Sequence, residues 1–298
     1  MPDGYVHVLA AKRAAALRGG PVEFPECFKA GANGPDPLFF YRIWALRGEG
    51  ELYALSGRLH SERTGAFLQE LLRRALSPAC QWYARGFLAH YAVDCVFHPF
   101  VHAMTEEKGA PYCIRQGHSF FESALDSYFC EKETGSPCAR RSDTTPHLAP
   151  AERTWVASQL RNSIHTVYGV EHSQKIYEDT FRHMWAVKGI LSSPQGAKRV
   201  LAKWVENSLF DAPGFVTGHM QPARPLRPLP PVWKNVYTGQ EEKAGPDELF
   251  QRAVELALRY MRAADAYFAK ALTLEQAGAV FGNNGYETGV PLEEGASG

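Results

Sequence analysis

Histidine and carboxylate side chains recur at helical spacing in the segment GFLAHYAVDCVFHPFVHAMT. In a helix, His90, Asp94 and His98 stand one turn apart in succession, so their side chains leave one face. Farther along the chain, HSFFE places His118 and Glu122 one turn apart on a second predicted helix. Two facing helices that each present a histidine and a carboxylate are a standard way to enclose a divalent metal ion.

The types of these side chains point to zinc. Imidazole nitrogen and carboxylate oxygen suit zinc when it must keep a position open for water, although manganese or iron would accept the same mixture. Both pairs lie among apolar residues, and buried charges need a partner or a metal ion. A single HxxxD pair on a helix is more often an ordinary exposed or capped pair. The residues alone therefore leave a metal site and a structural charge pair as alternatives.

Helices are predicted along most of the chain, and no alternating strand pattern of any length is present. The predicted helices cover residues 59–76, 79–102, 116–133, 151–168, 172–191, 194–209 and 246–271. Pro99 predicts a kink in the second of these helices, or its end near Phe97 or His98.

Two segments are predicted to be loops. Residues 31–37, GANGPDP, are expected to lack regular structure, and the Pro- and Gly-rich segment 210–245 is expected to wrap over the surface. With 45% hydrophobic residues, the chain can bury a sizeable core. The predicted fold class is all-α, with residues 1–298 forming a single helical domain.

Charge and cysteine usage bound the classes of function. The 32 basic and 32 acidic side chains cancel, so no overall attraction to nucleic acid or to an anionic membrane is implied, although a local basic patch stays open. The N-terminal segment lacks the pattern of a secretory leader, and no apolar stretch approaches the roughly 20 residues that span a bilayer. The six cysteines form no CxxC pair and are predicted to be reduced thiols. A cytoplasmic protein is expected.

These motifs, in this order, resemble the zinc-dependent phospholipase C family, whose bacterial members carry three clustered zinc ions in an all-helical domain. The family's HYxxD motif matches His90 and Asp94, and its HxxxE motif matches His118 and Glu122. The segments LPPVWKNVYTGQ and FGNNGYETGVP also resemble those of cytosolic, leaderless members. Fungal single-strand nucleases share the trinuclear architecture as a distant relation. The resemblance covers most of the chain and implies the same helical fold.

Three further ligands are implied by the resemblance alone. His7 in GYVHVLAAK matches the family's early histidine, Asp36 in GANGPD matches its GxxGPD segment, and His60 in LHSERTGAFL matches a histidine before a helix. The full set of implied metal ligands is His7, Asp36, His60, His90, Asp94, His98, His118 and Glu122. These residues would hold two or three zinc ions, which activate a water molecule for hydrolysis.

The resemblance also distributes roles among these residues. His60 and His90 would bind the first ion. His98, His118 and Glu122 would bind the second ion, and His7 would bind the third. Asp94 offers two oxygens and is the best candidate to bridge two ions. Asp36 is the candidate catalytic base as well as a ligand, as the matching aspartate is in the family.

One departure from the family concerns the choice of histidine on the first metal-binding helix. Secreted members have a histidine six residues after the helix aspartate, where this chain has Phe100 between His98 and His102. His98 is the predicted ligand because it shares a helix face with His90 and Asp94. His102 is the alternative.

The N-terminus is a second departure. Secreted enzymes bind one zinc ion through the amine and carbonyl of a processed N-terminal tryptophan, whereas this chain begins with Met1 and Pro2. Removal of Met1 would expose the amine of Pro2, which is therefore a hypothetical chelator.

The remaining histidines follow no ligand spacing with a nearby carboxylate and are interpreted as structural or surface residues. They are His147, His165, His172, His183 and His219. Asp126, one turn beyond Glu122, is expected either to orient a ligand imidazole or to be exposed.

Three functions are compatible with these features. The first is phospholipase C-like hydrolysis of a lipid or small-molecule phosphate ester. The second is a nuclease or nucleotidase, which requires a basic groove lined by aromatic residues; the arginines that would supply it are dispersed, at Arg42, Arg47, Arg58, Arg73 and Arg74. The third is a non-catalytic, metal-stabilised helical binding protein. Eight ligands for two or three ions leave positions open, which favours chemistry. No stable nucleic-acid partner is predicted, and the oligomeric state stays open.

Overall fold

Helices make up most of the chain in the computed structural model, which describes residues 4–43, 50–210, 214, 216–223 and 225–293. The helices are α1 (Tyr5–Arg18), α2 (Pro25–Ala32), α3 (Gly50–Ser61), α4 (Thr64–Arg73), α5 (Pro78–Thr105), α6 (Gly117–Thr134), α7 (Arg141–Thr144), α8 (Pro150–Tyr168), α9 (Gln174–Leu191), α10 (Ala197–Val205), α11 (Pro246–Phe268) and α12 (Leu274–Phe281). Shorter 3-10 turns lie at Asp36–Phe40 and Thr217–His219, and a π-helical turn lies at Glu206–Phe210. The all-α prediction is confirmed.

Helix α5 runs through the centre of the molecule. Ser77 caps its N-terminus by accepting a hydrogen bond from the Cys80 amide at 3.3 Å, and Pro78 lies in the first turn, where no donor is needed. Of its 28 residues, 24 are buried, so α5 packs on all sides rather than along one stripe. Its neighbours include α1, α2, α6, α8 and α11. The histidines and the aspartate of α5 therefore point into the protein interior.

Pro99 lies inside α5, and the helix continues past it to Thr105. The predicted end near Phe97 or His98 is therefore wrong. Proline has no N–H to bond to the carbonyl of Cys95 one turn earlier. The C-terminal chain packs against that carbonyl, because a Cβ added at Gly289 would lie 2.4 Å from its oxygen. Burial on every side keeps the helix continuous although one backbone hydrogen bond is missing.

Helices α2 and α5 cross with their backbones in contact. A Cβ added at Gly31 would lie 2.0 Å from the Tyr83 carbonyl oxygen, and one at Gly86 would lie 2.1 Å from that of Phe28. Only glycine permits so close an approach. The crossing brings the turn that follows α2 onto the face of α5 that carries His90.

Residues 31–37, which were predicted to lack regular structure, form this turn and parts of the helical elements on either side of it. Gly31 and Ala32 end α2, and Asp36 begins a 3-10 turn, so the segment is largely helical. Its glycines and prolines tighten a connection between helical turns, which tertiary packing against α5 stabilises. The pattern GANGPDP by itself carries no signal of that packing.

The predicted helix over residues 59–76 is in fact two helices. Helix α3 ends at Ser61, Arg63 adopts a left-handed backbone conformation with φ 49°, and α4 ends at Arg73. The apolar periodicity runs across the break because both helices bury one face in the same core. Most other predicted helices are present with ends shifted by a few residues, and the periodicity missed α1, α2, α7, α12 and the part of α3 before residue 59.

The segment 210–245 is irregular for most of its described length, as predicted. It contains a two-stranded antiparallel ribbon of β1 (Trp233–Lys234) and β2 (Glu241–Glu242). The Trp233 ring lies 5.1 Å from the Phe100 ring, centroid to centroid, and its indole N–H donates to the Ala244 carbonyl at 2.9 Å. This ribbon is therefore anchored on the C-terminal part of α5.

Two further sequence predictions concern the state of the cysteines and the presence of membrane-spanning helices. All six cysteines are free thiols, as their spacing predicts. Among the residues described here, no helix combines the length and the apolar character needed to cross a bilayer.

Candidate metal centre

Five of the predicted ligands lie together in the interior and form what we call the inner cluster. Its members are His7, Asp36, His60, His90 and Asp94, all of them buried. They come from four different elements: α1, the 3-10 turn after α2, α3 and α5. The inner cluster is thus assembled by the tertiary fold and not by one local motif.

Asp94 lies at the centre of the inner cluster. Its Oδ2 is 2.8 Å from His90 Nε2 and 3.7 Å from His60 Nε2, whereas its Oδ1 is 3.3 Å from His7 Nε2. Oδ1 is also 3.5 Å from His98 Nδ1, on the side of the second pair of predicted ligands. The two oxygens of Asp94 therefore face different imidazoles, as a bridging carboxylate would require.

Asp36 closes the inner cluster from the side of the 3-10 turn. Its Oδ1 lies 3.5 Å from His60 Nε2 and 3.7 Å from His90 Nε2. Two ligand atoms about 2.1 Å from a tetrahedral zinc ion are about 3.4 Å apart. The separations around Asp36 and Asp94 are mostly of that size, which is longer than a charge-assisted hydrogen bond.

The other three predicted ligands form what we call the outer cluster, between α5 and α6. Glu122 Oε1 lies 2.8 Å from His118 Nε2 and 3.6 Å from His98 Nε2. His98 and Glu122 are buried, but the His118 side chain is 37% exposed. The outer cluster therefore reaches the protein surface, whereas the inner cluster does not.

Backbone carbonyls orient two of the histidines. The Nδ1 atom of His98 lies 3.1 Å from the Tyr286 carbonyl oxygen, and Nδ1 of His60 lies 2.7 Å from that of Ser56. An N–H on Nδ1 that donates to a carbonyl leaves Nε2 with a lone pair for a metal ion. Nε2 of His60 faces Asp36, and Nε2 of His98 faces Glu122, whereas Nδ1 of His98 lies between the Tyr286 carbonyl and Asp94.

Gly34 makes room for the His90 ring. A Cβ at this position would lie 2.1 Å from His90 Cδ2, and the residue has φ +51°, which side chains rarely adopt. On its other side the His90 ring stacks on His7, with centroids 4.3 Å apart. The ring is therefore fixed between a backbone turn and a second imidazole.

Residues 1–3 precede the described part of the chain, so the proposed Pro2 amine ligand lies outside the described residues. The described N-terminus of α1 is held by Asp126, whose two oxygens accept the Tyr5 and Val6 amides at 2.9 Å each. Asp126 is buried, so of the two predicted alternatives the exposed one is wrong. It fixes the turn of α1 that carries His7.

His102, the alternative to His98, lies beside the outer cluster, with its ring centroid 5.9 Å from that of His98 and 5.4 Å from that of His118. Its Nδ1 contacts the Tyr237 hydroxyl and lies 3.5 Å from Glu106 Oε1. Burial, followed by the neighbouring imidazoles of His98 and His118, lowers the pKa of His102 to about 3. His102 is therefore a neutral neighbour that touches the ribbon loop through Tyr237.

The charges of the clusters suit metal ligation. Burial opposes ionisation of Asp94, but the imidazoles of His90, His98 and His7 hold its pKa well below the usual range. Burial and the nearby His90 lower the pKa of His7. Against the effect of burial, the Asp94 carboxylate raises the pKa of His90 and of His98. The ionised Asp94 and the neutral His7 are the forms that bind a metal ion.

Unsatisfied polar atoms give a direct test of whether a metal ion fits. Within the described residues, no well-aligned hydrogen bond reaches Nε2 of His7, His60 or His90, or either oxygen of Asp94, although all are buried. Buried polar atoms are normally satisfied, so their concentration at one place needs an explanation. Three groups of ligand atoms lie within 4.8 Å of one another: His7, Asp36 and His90; His60, His90 and Asp94; and His98, His118 and Glu122. The residues fit divalent metal ions.

This grouping differs from the expected distribution in one respect. His7 was expected to serve a third ion that does not use His90, but the structure brings His7 to His90 and Asp36. The other histidines, such as His147 and His183, contact other parts of the protein: His147 stacks on Trp185, and His183 accepts from the Arg42 amide.

Two tyrosines near the clusters were not singled out as individual site residues in the sequence. Tyr286 packs on His60 and His90 with centroids 5.1 Å and 6.0 Å apart, and its amide donates to the His60 carbonyl at 2.8 Å. Tyr237 reaches His102 from the ribbon. The only sequence feature that could have identified these two tyrosines was the resemblance of their segments, LPPVWKNVYTGQ and FGNNGYETGVP, to the family.

Comparison with known proteins agrees with this geometry. A family model described as zinc dependent phospholipase C matches residues 6–175, which include all eight residues of the inner and outer clusters. The match covers more than half of the chain, which therefore belongs to the zinc-dependent phospholipase C family. No curated protein and no solved structure gave a significant match.

Proposed function

We propose that this protein is a zinc-dependent hydrolase that cleaves phosphate esters, with a phospholipase C-like phosphodiester as its substrate. The observation that carries the proposal is the outer cluster. It offers two imidazoles and one carboxylate, the set of three protein ligands that catalytic zinc sites use with water in the fourth position. The partial exposure of His118 gives a substrate access to that position.

Bound zinc ions would supply a hydroxide nucleophile near neutral pH and offset the charge of the phosphate oxygens. The protein residues hold the geometry for that chemistry. Asp94, with its oxygens directed to different imidazoles, is the proposed bridging ligand. Asp36 is the proposed base, because its Oδ1 lies among the inner-cluster histidines and can take a proton from an attacking water.

The nuclease alternative receives less support from the surface charges. Arg73 and Arg74 both pair with Glu70, at 2.6 Å and 2.5 Å, and Arg58 pairs with Glu62 at 3.0 Å. These arginines are therefore engaged with carboxylates and do not form a joint groove for a phosphate backbone. Of the other two arginines, Arg42 donates its backbone amide to His183 Nδ1 at 3.1 Å, and Arg47 lies outside the described residues.

The chain is proposed to act as one helical domain in the cytoplasm. Support for one domain comes from α5, which contacts helices from both ends of the chain, α1 and α11. Support for a reducing compartment comes from the six free thiols. Limited proteolysis checks the domain proposal, since a single domain yields no stable fragment of half its size.

Hydrolysis of a chromogenic phosphodiester tests the proposed function. Protein purified without chelator, the chelator-treated protein and the zinc-reconstituted protein are compared on this ester, on short-chain phosphatidylcholine and on single-stranded DNA. Zinc-dependent turnover of the ester and the lipid is expected, with loss of activity in Asp36→Asn. The matched control is His165→Ala, an exposed histidine away from the clusters. Turnover of DNA alone would favour the nuclease, and zinc binding without any turnover would favour a binding protein.

A further inference from the structure

Helix α10 presents its apolar side chains to solvent. Val200, Leu201 and Trp204 are 72%, 63% and 59% exposed, and none of the nine residues of α10 is buried. At about 100° per residue, these three side chains fall within roughly 100° of arc on one face of the helix. Ile190, at the end of α9 and 66% exposed, is a further exposed apolar residue nearby in the chain.

The opposite face of α10 packs on the protein through polar groups. Arg199 donates to the Met220 carbonyl. Glu206, directly after the helix, is buried and accepts the Thr217 amide at 2.8 Å and the Thr217 hydroxyl at 2.7 Å. A surface helix normally buries its apolar face and exposes its polar face. Helix α10 has the reverse orientation, so its apolar face is available to a partner.

The chain segment that contains this face is rich in basic residues, of which Arg182 pairs with Asp179 at 3.3 Å. Residues 180–205 contain five basic side chains and no acidic one, in a chain whose net charge is zero. The basic residues are Arg182, Lys188, Lys198, Arg199 and Lys203. On the helix, Lys198 and Lys203 flank the apolar face on its two sides. Lys198 Nζ donates to the carbonyls of Gly189 at 3.2 Å and Ser192 at 3.1 Å. On the other side, the Lys203 stem can lie along an apolar layer while its ammonium group reaches anionic groups.

Helix α10 is linked to the outer cluster through one short turn. The 3-10 turn Thr217–His219, which α10 contacts, packs on α6. The Ser123 hydroxyl of α6 donates to the Gly218 carbonyl at 2.8 Å. Helix α6 also carries His118 and Glu122, so the apolar face and the exposed ligand His118 belong to connected elements.

We infer that α10 is an interfacial anchor that binds the surface of an anionic phospholipid membrane. An exposed indole and two aliphatic side chains would enter the boundary of the headgroups, and Lys203 would pair with a lipid phosphate. A second copy of this chain is a poorer occupant, because it would place basic side chains against basic side chains. The inference rests on the proposed function in that a lipid substrate lies in such a surface.

Vesicle sedimentation with the full-length protein tests the anchor without using its activity. Vesicles of phosphatidylcholine alone are compared with vesicles that also contain phosphatidylglycerol. The variants are Leu201→Ser/Trp204→Ser and Lys203→Glu, and the matched control is Leu76→Ser, which removes an apolar side chain that is 89% exposed elsewhere. Turnover of the soluble chromogenic phosphodiester is measured in parallel, and circular dichroism checks folding.

Binding to the anionic vesicles is expected to weaken by at least about tenfold in the double variant, and to fall also in Lys203→Glu and at high salt. Leu76→Ser is expected to bind like the wild type. A blue shift of tryptophan emission on vesicle binding should disappear in Trp204→Phe. Absence of wild-type binding, equal losses in Leu76→Ser, or dimers that dissociate in the double variant would overturn the inference. The variants are expected to turn over the soluble ester at the wild-type rate, so a loss of vesicle binding reports on the anchor alone. The proposed function is tested separately, by whether the wild type hydrolyses the soluble ester.

Discussion

The inner and outer clusters use the same ligand types in different surroundings. The inner cluster is closed on all sides, and its five residues come from four elements that meet only in the folded chain. The outer cluster lies between two helices, and its His118 reaches the surface. Asp94 stands between them, since its Oδ1 is 3.3 Å from His7 and 3.5 Å from His98.

This difference in exposure indicates that the inner cluster mainly retains its metal ion, whereas the ion of the outer cluster is accessible to a substrate. Buried ligands without hydrogen-bond partners, as in the inner cluster, are costly unless a metal ion satisfies them. An ion in the outer cluster has fewer protein ligands and access to solvent, which is what a reacting phosphate needs. We therefore expect substitutions of the inner-cluster histidines to affect folding and metal content together. Substitutions in the outer cluster, or of the proposed base Asp36, are expected to affect activity first.

Replacement of the residue between the clusters is expected to have the largest effect. Asp94→Asn keeps the shape but removes the charge that faces His7, His90 and His98. Loss of several kcal/mol of metal-derived transition-state stabilisation corresponds to roughly a thousandfold lower kcat/KM. The control Asp179→Asn, which removes a carboxylate paired with Arg182, should behave like the wild type. An Asp94→Asn protein with full zinc content and full activity would refute the bridging role.

The two histidines of α5 near the outer cluster are expected to differ. His98→Gln removes a nitrogen 3.6 Å from Glu122, and its zinc affinity should fall by more than about a hundredfold, because even indirect contacts to a metal ligand are worth ten- to a hundredfold. His102→Gln should change zinc affinity by less than about tenfold, since Tyr237 and Glu106 are its neighbours. Competition with a fluorescent chelator measures both. The reverse order would make His102 the ligand.

A smaller effect, on stability, is expected at the turn that holds His90. Gly34→Ala would place a Cβ 2.1 Å from the ring, and Gly135→Ala is the matched control, with φ +75° and open space around it. Backbone strain of about 1 to 2 kcal/mol is common to both, and overpacking adds about 1 to 3 kcal/mol at Gly34. Urea unfolding of the zinc-loaded proteins measures the difference. Equal midpoints would show that Gly34 does not restrict the His90 ring.

The two clusters also differ in how far the sequence predicted them. Helical spacing is a local property, so it identified His98, His118 and Glu122 without any knowledge of the fold. In the inner cluster, His7, Asp36 and His60 lie far apart in sequence, and only the family resemblance connected them. The contact between Gly34 and His90 depends on how α2 crosses α5, which no pattern within either helix reveals.

Helix α10 illustrates the same limit for the fold. Its approximate position was predicted, but periodicity alone gives an amphipathic helix and not the direction of its apolar face. The structure turns that face outward because Arg199 and Glu206 find backbone partners on the protein side. Of the two outcomes predicted for Pro99, a kink or a helix end, the helix end is wrong for a related reason, since burial and the C-terminal chain near Gly289 keep α5 intact.

Metal content tests the central claim most directly. Zinc is measured by elemental analysis in protein purified without chelator, in His118→Ala and in the control His165→Ala. We predict two or three zinc ions per chain in the wild type and the control, and the loss of the outer ion with retention of the inner zinc in His118→Ala. Absence of stoichiometric metal in the wild type would contradict the metal centre and, with it, the proposed hydrolase.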